Sequence, residues 1–247
     1  MRISARNLSF GYEGNPVFEN LNLDLGRNED GRPTVILGPS GCGKTTLLKL
    51  LSGLLKPDSG TVETEAAGRT AFMFQESRLL PWLTIIENVA LPLEKELGRP
   101  EARMRARRFL SEVFLTEKEN AFPNELSGGQ AQRASMARAF AWPTRALFLD
   151  EPFQSLDIPL RLELMDAFLS LAAGESRPGE GRLILAVTHE VREAIYMGGR
   201  IVVLGKAGRG TVMDRRIDLG REERGYGSGP AAELEGELID CLKAASA

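Results

Sequence analysis

The chain has 247 residues, enough for one large or two small domains with a substantial core. Its net charge of −3 argues against a general binder of phosphate backbones, which carries a basic excess. Two cysteines make no disulfide framework, and there is neither a signal sequence nor an apolar run near roughly eighteen residues, so a cytoplasmic chain is expected whose membrane contact runs through a partner.

Residues 2–10 set Ile3, Leu8 and Phe10 among polar neighbours, a weak strand. A turn cluster, GYEGNP, follows, and then residues 17–25 alternate Phe18, Leu21, Leu23 and Leu25 with polar positions. That alternation predicts a half-exposed strand antiparallel to the first. Tyr12 lies on the turn between them. Turn packing is its ordinary role; stacking on a purine is the functional one.

The chain is organised around residues 34–51, TVILGPSGCGKTTLLKLL. Val35, Ile36 and Leu37 are strand formers, and Leu47, Leu48, Leu50 and Leu51 recur at helical spacing. Between them Gly38, Pro39, Ser40, Gly41, Cys42, Gly43, Lys44 and Thr45 fit G-x-x-x-x-G-K-[ST], in the strand–loop–helix context that this motif requires. Backbone N–H groups aimed into one concavity hold phosphates. Gly41 and Gly43, lacking Cβ atoms, let the chain wrap closely around them. Lys44 supplies a point charge to the β- and γ-phosphates, and Thr45 offers Mg²⁺ a hard oxygen.

Residues 53–60 end that helix and turn the chain. Strands are expected at residues 61–65 and 70–74 around Gly68. Gln75 follows the second strand, and its place matters only if that strand lies beside the phosphate loop. From Glu76 the character changes. An apolar, Trp-containing loop leads to a helix from about Thr84, and Pro100 opens another with Met104, Phe109, Leu110, Val113 and Phe114 on one side. Arg103, Arg105, Arg107 and Arg108 form a charge run that reads as its solvated face. Residues 76–142 thus read as a helical insertion in an α/β core.

LSGGQ follows, with Ser127 a good N-cap for a helix over residues 131–141 that stops at Pro143. It reads either as a capped helix behind a Gly-Gly turn or as a second anion site at a helix N-terminus. A second site makes sense if two copies of the chain face each other. Residues 146–151 are a buried strand ending in Asp150 and Glu151. Running parallel to and next to the phosphate-loop strand, it would put Asp150 near Mg²⁺ and Glu151 where it could polarise a water. Residues 152–157 are a loop, Pro159 starts a helix, and a second buried strand at 183–188 delivers His189, the one histidine in the chain. Residues 201–204 form a further strand, 225–230 read as a linker, and 232–244 as a last amphipathic helix.

Six features now stand in one order: the phosphate loop, Gln75, LSGGQ, the strand ending in Asp150 and Glu151, Ser155-Leu156-Asp157, and His189. Over residues 1–213 the chain resembles the nucleotide-binding subunit of an ABC transporter. FMFQESRLLPWLTIIENVALP, residues 72–92, is similar to importer subunits for nitrate, sulfonates and taurine. The resemblance implies an α/β P-loop NTPase with a RecA-like core, an N-terminal antiparallel β subdomain and an inserted α-helical subdomain. Residues 1–224 would be the ATPase domain, and 225–247 the linker and C-terminal helix. Tyr12 would stack on adenine, and the loop from Gly38 to Thr46 would hold the phosphates of ATP and Mg²⁺. Thr45, Gln75 and Asp150 would serve the metal, with Gln75 also touching the attacking water. Glu151 would be the general base and His189 would hold the γ-phosphate. Ser127, Gly128, Gly129 and Gln130 would clamp the nucleotide of the other subunit, and Asp157 would cross the dimer interface.

The implied protein is a cytoplasmic, membrane-peripheral ATPase. It would act as a homodimer on a transmembrane permease, served indirectly by a substrate-binding protein, with no nucleic-acid partner. A soluble ABC ATPase that remodels a protein complex, such as one assisting iron–sulfur cluster assembly, would share every catalytic motif. Gln154-Ser155 stands where Gly-Ala is usual, Glu190 where Asp usually follows the histidine, and Gly198-Gly199 where Ala-Asp is common. No catalytic group is lost by these departures, but they leave the contacts around Asp157 open.

Overall fold

The computed structural model describes residues 1–66, 68–154, 156–174, 181–206, 208 and 210–246; Ser155 lies outside them. The chain opens with β1 (Arg2–Tyr12) and β2 (Asn15–Gly26), paired antiparallel as the alternation predicts. Next come β3 (Thr34–Leu37) and α1 (Lys44–Leu51), then β4 (Ser59–Thr64) and β5 (Thr70–Met73). The helical insertion holds α2 (Ile85–Ala90), α3 (Glu94–Leu97), α4 (Arg99–Glu112) and α5 (Gly128–Ala141). The chain continues with β6 (Ala146–Asp150), α6 (Ile158–Gly174), β7 (Leu183–Val187) and α7 (Val191–Met197). It finishes with β8 (Arg200–Leu204), β9 (Thr211–Arg216) and α8 (Gly229–Ser246).

Two sheets result, β2-β1-β4 and β5-β6-β7-β3-β8-β9. β4 and β5 are therefore not a hairpin: β4 closes the small antiparallel sheet and β5 edges the large one. The large sheet is parallel except for β9, which pairs antiparallel with β8. Its central strands show the period of two. Val35, Leu37, Leu147, Leu149, Ile184 and Ala186 face one core with the insertion and α6–α8. Ile36, Ala146, Phe148, Leu183, Leu185 and Val187 face the other, shared with α1 and the small sheet. Leu47, Leu48, Leu50 and Leu51 fix α1 between the two sheets.

On α4, Ala102, Ala106, Phe109 and Leu110 are buried and Val113 follows them inward. Met104 and Phe114 do not join this face as expected: Met104 is 66% exposed and Phe114 53%. Met104 lies a half-turn from the Ala102–Ala106–Phe109 stripe, and Phe114 follows the helix end with φ of 57°, which swings it outward. The arginine run is only partly a solvated face. Arg107 pairs with Glu119 at 2.7 Å and Arg103 with Glu87 at 3.5 Å, while Arg105 donates to the Ala141 carbonyl at 2.6 Å. The stretch 225–230 contains the start of α8, which docks on α7 and β8 with Leu238 and Ala245 buried. Just before it, the Arg224 guanidinium is buried against the carbonyls of Leu219, Ile195, Ile217 and Gly198. Burial lowers its pKa to about 10, so it remains charged at neutral pH.

Candidate active site

The phosphate loop runs from the end of β3 into α1. Gly41 and Gly43 have φ of 78° and 97°, conformations that L side chains rarely adopt. A Cβ at Gly43 would lie 2.5 Å from Val17 Cγ1 and 2.8 Å from Phe18 Cζ, so β2 pressing on the loop also requires glycine there. Lys44 is buried, and its ammonium donates to the carbonyls of Gly38 at 2.8 Å and Pro39 at 3.0 Å. Cys42 is buried, and loss of solvent raises its thiol pKa against the opposing pull of Lys44. It packs as a small apolar group. Tyr12 is half exposed, edge-on to Phe10, with its hydroxyl 3.4 Å from Thr46 Oγ1. The turn aromatic thus stands at the phosphate-loop helix.

Asp150 reaches this loop although its strand is not the neighbour of β3: β7 lies between them. In a parallel sheet all the strands end on one side, so the carboxylate still projects to the loop. Thr45 Oγ1 donates to Asp150 Oδ1 at 2.9 Å. Burial raises the Asp150 pKa; the Thr45 bond lowers it, Glu151 raises it, and Lys49 and Lys44 lower it.

Glu151 takes a positive φ of 48°, rare for a non-glycine residue. Its N–H donates to the Val187 carbonyl at 3.0 Å, and its own carbonyl accepts from Gln132 Nε2 at 2.8 Å. These bonds turn its side chain to His189, whose Nδ1 lies 3.2 Å from Glu151 Oε1. Glu151 Oε2 is buried and has no hydrogen-bond partner among the described residues, an acceptor left available. Glu190 Oε1 stands 3.6 Å from His189 Nε2. Glu151, Gln154, Arg161, Thr188, His189, Glu190 and Glu193 line one cavity.

Gln75 does not lie beside the phosphate loop by strand adjacency, since β5 is the sheet edge with β6 and β7 between it and β3. Its amide donates to Gln154 Oε1 at 2.8 Å, which ties it to the Glu151–His189 cavity. Just beyond it, Arg138 of α5 donates to the carbonyls of Ser77 at 2.8 Å and Arg78 at 2.9 Å. The helix that begins at LSGGQ, the signature stretch, thus holds the segment after Gln75.

Ser127 caps α5 as expected. Its hydroxyl accepts from the Gln130 N–H at 3.3 Å, and Gln130 Oε1 accepts from the Ser127 N–H at 2.9 Å. Ser127, Gly128, Gly129 and Gln130 line a surface depression with Arg133, Leu156, Asp157 and Leu160. No phosphate-loop residue lines it. Asp157 Oδ1 accepts from the Leu160 N–H at 3.0 Å, capping the start of α6.

Gln132, Asn88, Arg138, Arg161 and Glu193 were not foreseen. Each is a polar residue on a helix, which reads as surface in a sequence. The available signal was weak: Glu193 stands four positions after His189, on the helix that follows it.

A Gly-rich loop with the G-x-x-x-x-G-K-[ST] pattern and an acid held to its threonine from two strands away are the parts of a P-loop ATPase, and the separate LSGGQ cap makes it the ATP-binding cassette type. Residues 18–154 match the ABC transporter family, to which the chain belongs. An aliphatic sulfonates import ATP-binding protein SsuB 3 of Paraburkholderia xenovorans is 43% identical, over 85% of this chain and 78% of the relative. SsuB 1 of Mesorhizobium japonicum is 38% identical, over 92% of this chain and 83% of the relative. Among solved structures, the dimeric post-hydrolysis state of the ATP-binding cassette MJ0796 bound to ADP and Pi superposes with a TM-score of 0.77 at 29% identity. It covers 88% of this chain and 100% of that one. The chain is an ATP-hydrolysing subunit, and among its described residues no helix is long and apolar enough to cross a membrane.

Proposed function

We propose that this chain energises import of a small organic sulfonate through a separate membrane permease, to which it binds peripherally on the cytoplasmic face. The observation that supports the transport reading is the run of relatives named for aliphatic sulfonate import, matched over most of their length. Those names give no support to the alternative of a soluble complex-remodelling ATPase. The proposed partners are a second copy of the chain, the permease and, indirectly, a substrate-binding protein. Residues 1–224, with the insertion at 76–142, are the proposed ATPase domain; 225–247 carry the C-terminal helix.

The nucleotide would lie with adenine on Tyr12 and its phosphates in the loop from Gly38 to Thr46. Lys44 would exchange the Gly38 and Pro39 carbonyls for phosphate oxygens. Mg²⁺ fits the donor set: Thr45 and Asp150 offer hard oxygens at one point. Among the described residues no group of three or more His, Cys, Asp or Glu could cage a metal alone, which suits an ion that shares its shell with phosphates and water. Bound there, Mg²⁺ would neutralise charge on the β- and γ-phosphates. Gln75 would orient the attacking water and bear on the metal. Glu151 Oε2 would accept the water's proton, while His189 holds the γ-phosphate at the other end of its contact with Glu151. Ser127, Gly128, Gly129 and Gln130 would close the site from the second subunit, with Asp157 beside them at the interface. Closure on ATP and reopening after hydrolysis would drive the permease.

The test is the purified complex of chain, permease and binding protein in liposomes. A short alkanesulfonate added outside should raise ATP hydrolysis and accumulate inside. In the same vesicles Glu151→Gln should retain ATP binding while hydrolysis falls by about 10²–10⁴-fold and uptake stops. Stimulation by unrelated solutes, and none by sulfonates, would overturn the substrate. Near-normal turnover in Glu151→Gln would remove Glu151 from its role.

A further inference from the structure

Glu193 sits on α7, four residues past His189, and is almost wholly buried. Its Oε2 accepts from Thr188 Oγ1 at 2.7 Å. The same Thr188 oxygen accepts from the Glu190 N–H at 3.1 Å, so the hydroxyl clamps the backbone on both sides of His189. The other carboxylate oxygen, Oε1, lies 3.4 Å from Arg161 Nη1. Arg161 in turn donates through Nη2 to the Leu156 carbonyl at 2.9 Å. Leu156 and Asp157 line the signature depression, while Arg161, Glu193, Thr188, His189 and Glu151 line the catalytic cavity. Two hydrogen bonds, two close N···O contacts and the Thr188–His189 backbone link Leu156 to Glu151.

We infer that Glu193 is a positioning residue for His189: through Thr188 it fixes the backbone that aims the imidazole at Glu151, and through Arg161 it ties that aim to the turn at Leu156 and Asp157. Burial raises the carboxyl pKa of Glu193, with the Thr188 bond and Arg161 pulling the other way. A buried ion pair of this kind often contributes no more stability than apolar side chains of similar volume would. What it adds over them is direction. A shift of the 156–157 turn, which borders the surface offered to the second subunit, is passed by rigid contacts to the histidine. The inference rests on the proposed role of His189.

Thr188→Val keeps the side-chain volume and removes the hydroxyl; Thr188→Ser restores it. The chain is assayed with Mg-ATP for kcat and KM, for affinity toward a non-hydrolysable ATP analogue, and for melting temperature. Thr188→Val should lose about tenfold in kcat, with KM and analogue affinity within about threefold of the parent. Thr188→Ser should recover most of that loss, and Glu193→Gln should resemble Thr188→Val. In a His189→Ala background Thr188→Val should cost under about twofold more, because the group it positions is gone. An inactive His189→Ala with Thr188→Val and Glu193→Gln at parental kcat overturns this inference and leaves the site reading intact. So does a fall in melting temperature with no change in kcat. A His189→Ala variant with parental kcat overturns the site reading itself. Should Thr188→Val fail to fold, Glu193→Gln alone and in the His189→Ala background decides by the same criteria.

Discussion

Asp150 stands where burial opposes chemistry. Taking its carboxylate from water raises its pKa above the usual 3.8, and the Thr45 hydroxyl recovers only part of that cost. The consequence for stability has a definite sign. A carboxyl with a raised pKa in the folded state favours folding while it is protonated and loses that contribution as pH rises through the folded-state value. At neutral pH the parent chain therefore bears the cost of a buried charge, and an amide does not. Asp150→Asn should melt higher than the parent at pH 7 without nucleotide. The gain should shrink as pH falls through the folded-state pKa and vanish below 3.8, where both side chains are neutral. Scanning calorimetry across this range, with ATPase activity lost in the variant, is the check; a variant that melts lower than the parent at pH 7 would count against it. Residues such as Lys44, Thr45 and Asp150 were legible in the sequence because phosphate chemistry restricts their types and spacing. Glu193 and Arg161 were not, because a charged residue on a helix is nearly always at the surface and only tertiary packing shows the exception.

At the scale of elements, the loop between β5 and α2 separates structural from exposed positions. Asn88 of α2 is buried; its Oδ1 accepts from the Leu80 N–H at 2.7 Å, and its Nδ2 faces the carbonyls of Leu80, Leu83 and Thr84 at 3.0–3.1 Å. One amide therefore sets the shape of the whole loop. Leu79 packs on the core, Leu80 is half-buried, and Trp82 is 69% exposed. The apolar residues of this Trp-containing loop thus divide between packed and exposed positions. Asn88→Ala should destabilise the chain by about 1–3 kcal/mol for each buried backbone group left unpaired. Trp82→Ala should stay within about 0.5 kcal/mol of the parent yet reduce co-purification with the permease, if the exposed ring seats in it. A chemical melt of each variant and a pull-down from co-expressing cells separate the two; a large stability loss in Trp82→Ala would return the ring to the core. Most strands and helices were readable from periodicity. β9 was not: Thr211–Arg216 is polar and mostly exposed, and only its pairing to β8 makes it a strand. The order of the large sheet was also hidden, because nothing local in residues 146–150 says that β7 will insert beside β3.

At the scale of the molecule, the signature depression and the phosphate loop have no lining residue in common. In the proposed dimer these would be two halves of a site, and two chains related by a two-fold axis would complete two such sites. This makes the activity of mixed dimers predictable. Lys44→Ala removes the ammonium from the phosphate loop of its own chain. Ser127→Arg fills the depression offered to the other chain and removes the α5 cap, which costs about 0.5–2 kcal/mol in stability, so folding of this variant is checked first. Each homodimer has two defective sites. A mixed dimer has one site carrying both defects and one carrying neither. Mixing the two inactive proteins at equal amounts should therefore return ATPase activity, rising as the mixed species forms. Random exchange makes about half of the dimers mixed, each with one intact site of two, so roughly a quarter of parental activity per chain is expected if sites act independently. The measurement is ATPase rate against mixing ratio, with differently tagged chains to count mixed dimers. Mixed dimers that form and stay inactive would mean that the two sites must fire together or that each lies within one chain. Analogue affinity distinguishes these: the intact shared site pairs the phosphate loop of the Ser127→Arg chain with Ser127 of the Lys44→Ala chain, so the mixed dimer should hold the analogue more tightly than the Ser127→Arg homodimer, whereas a site within one chain would bind it equally in both.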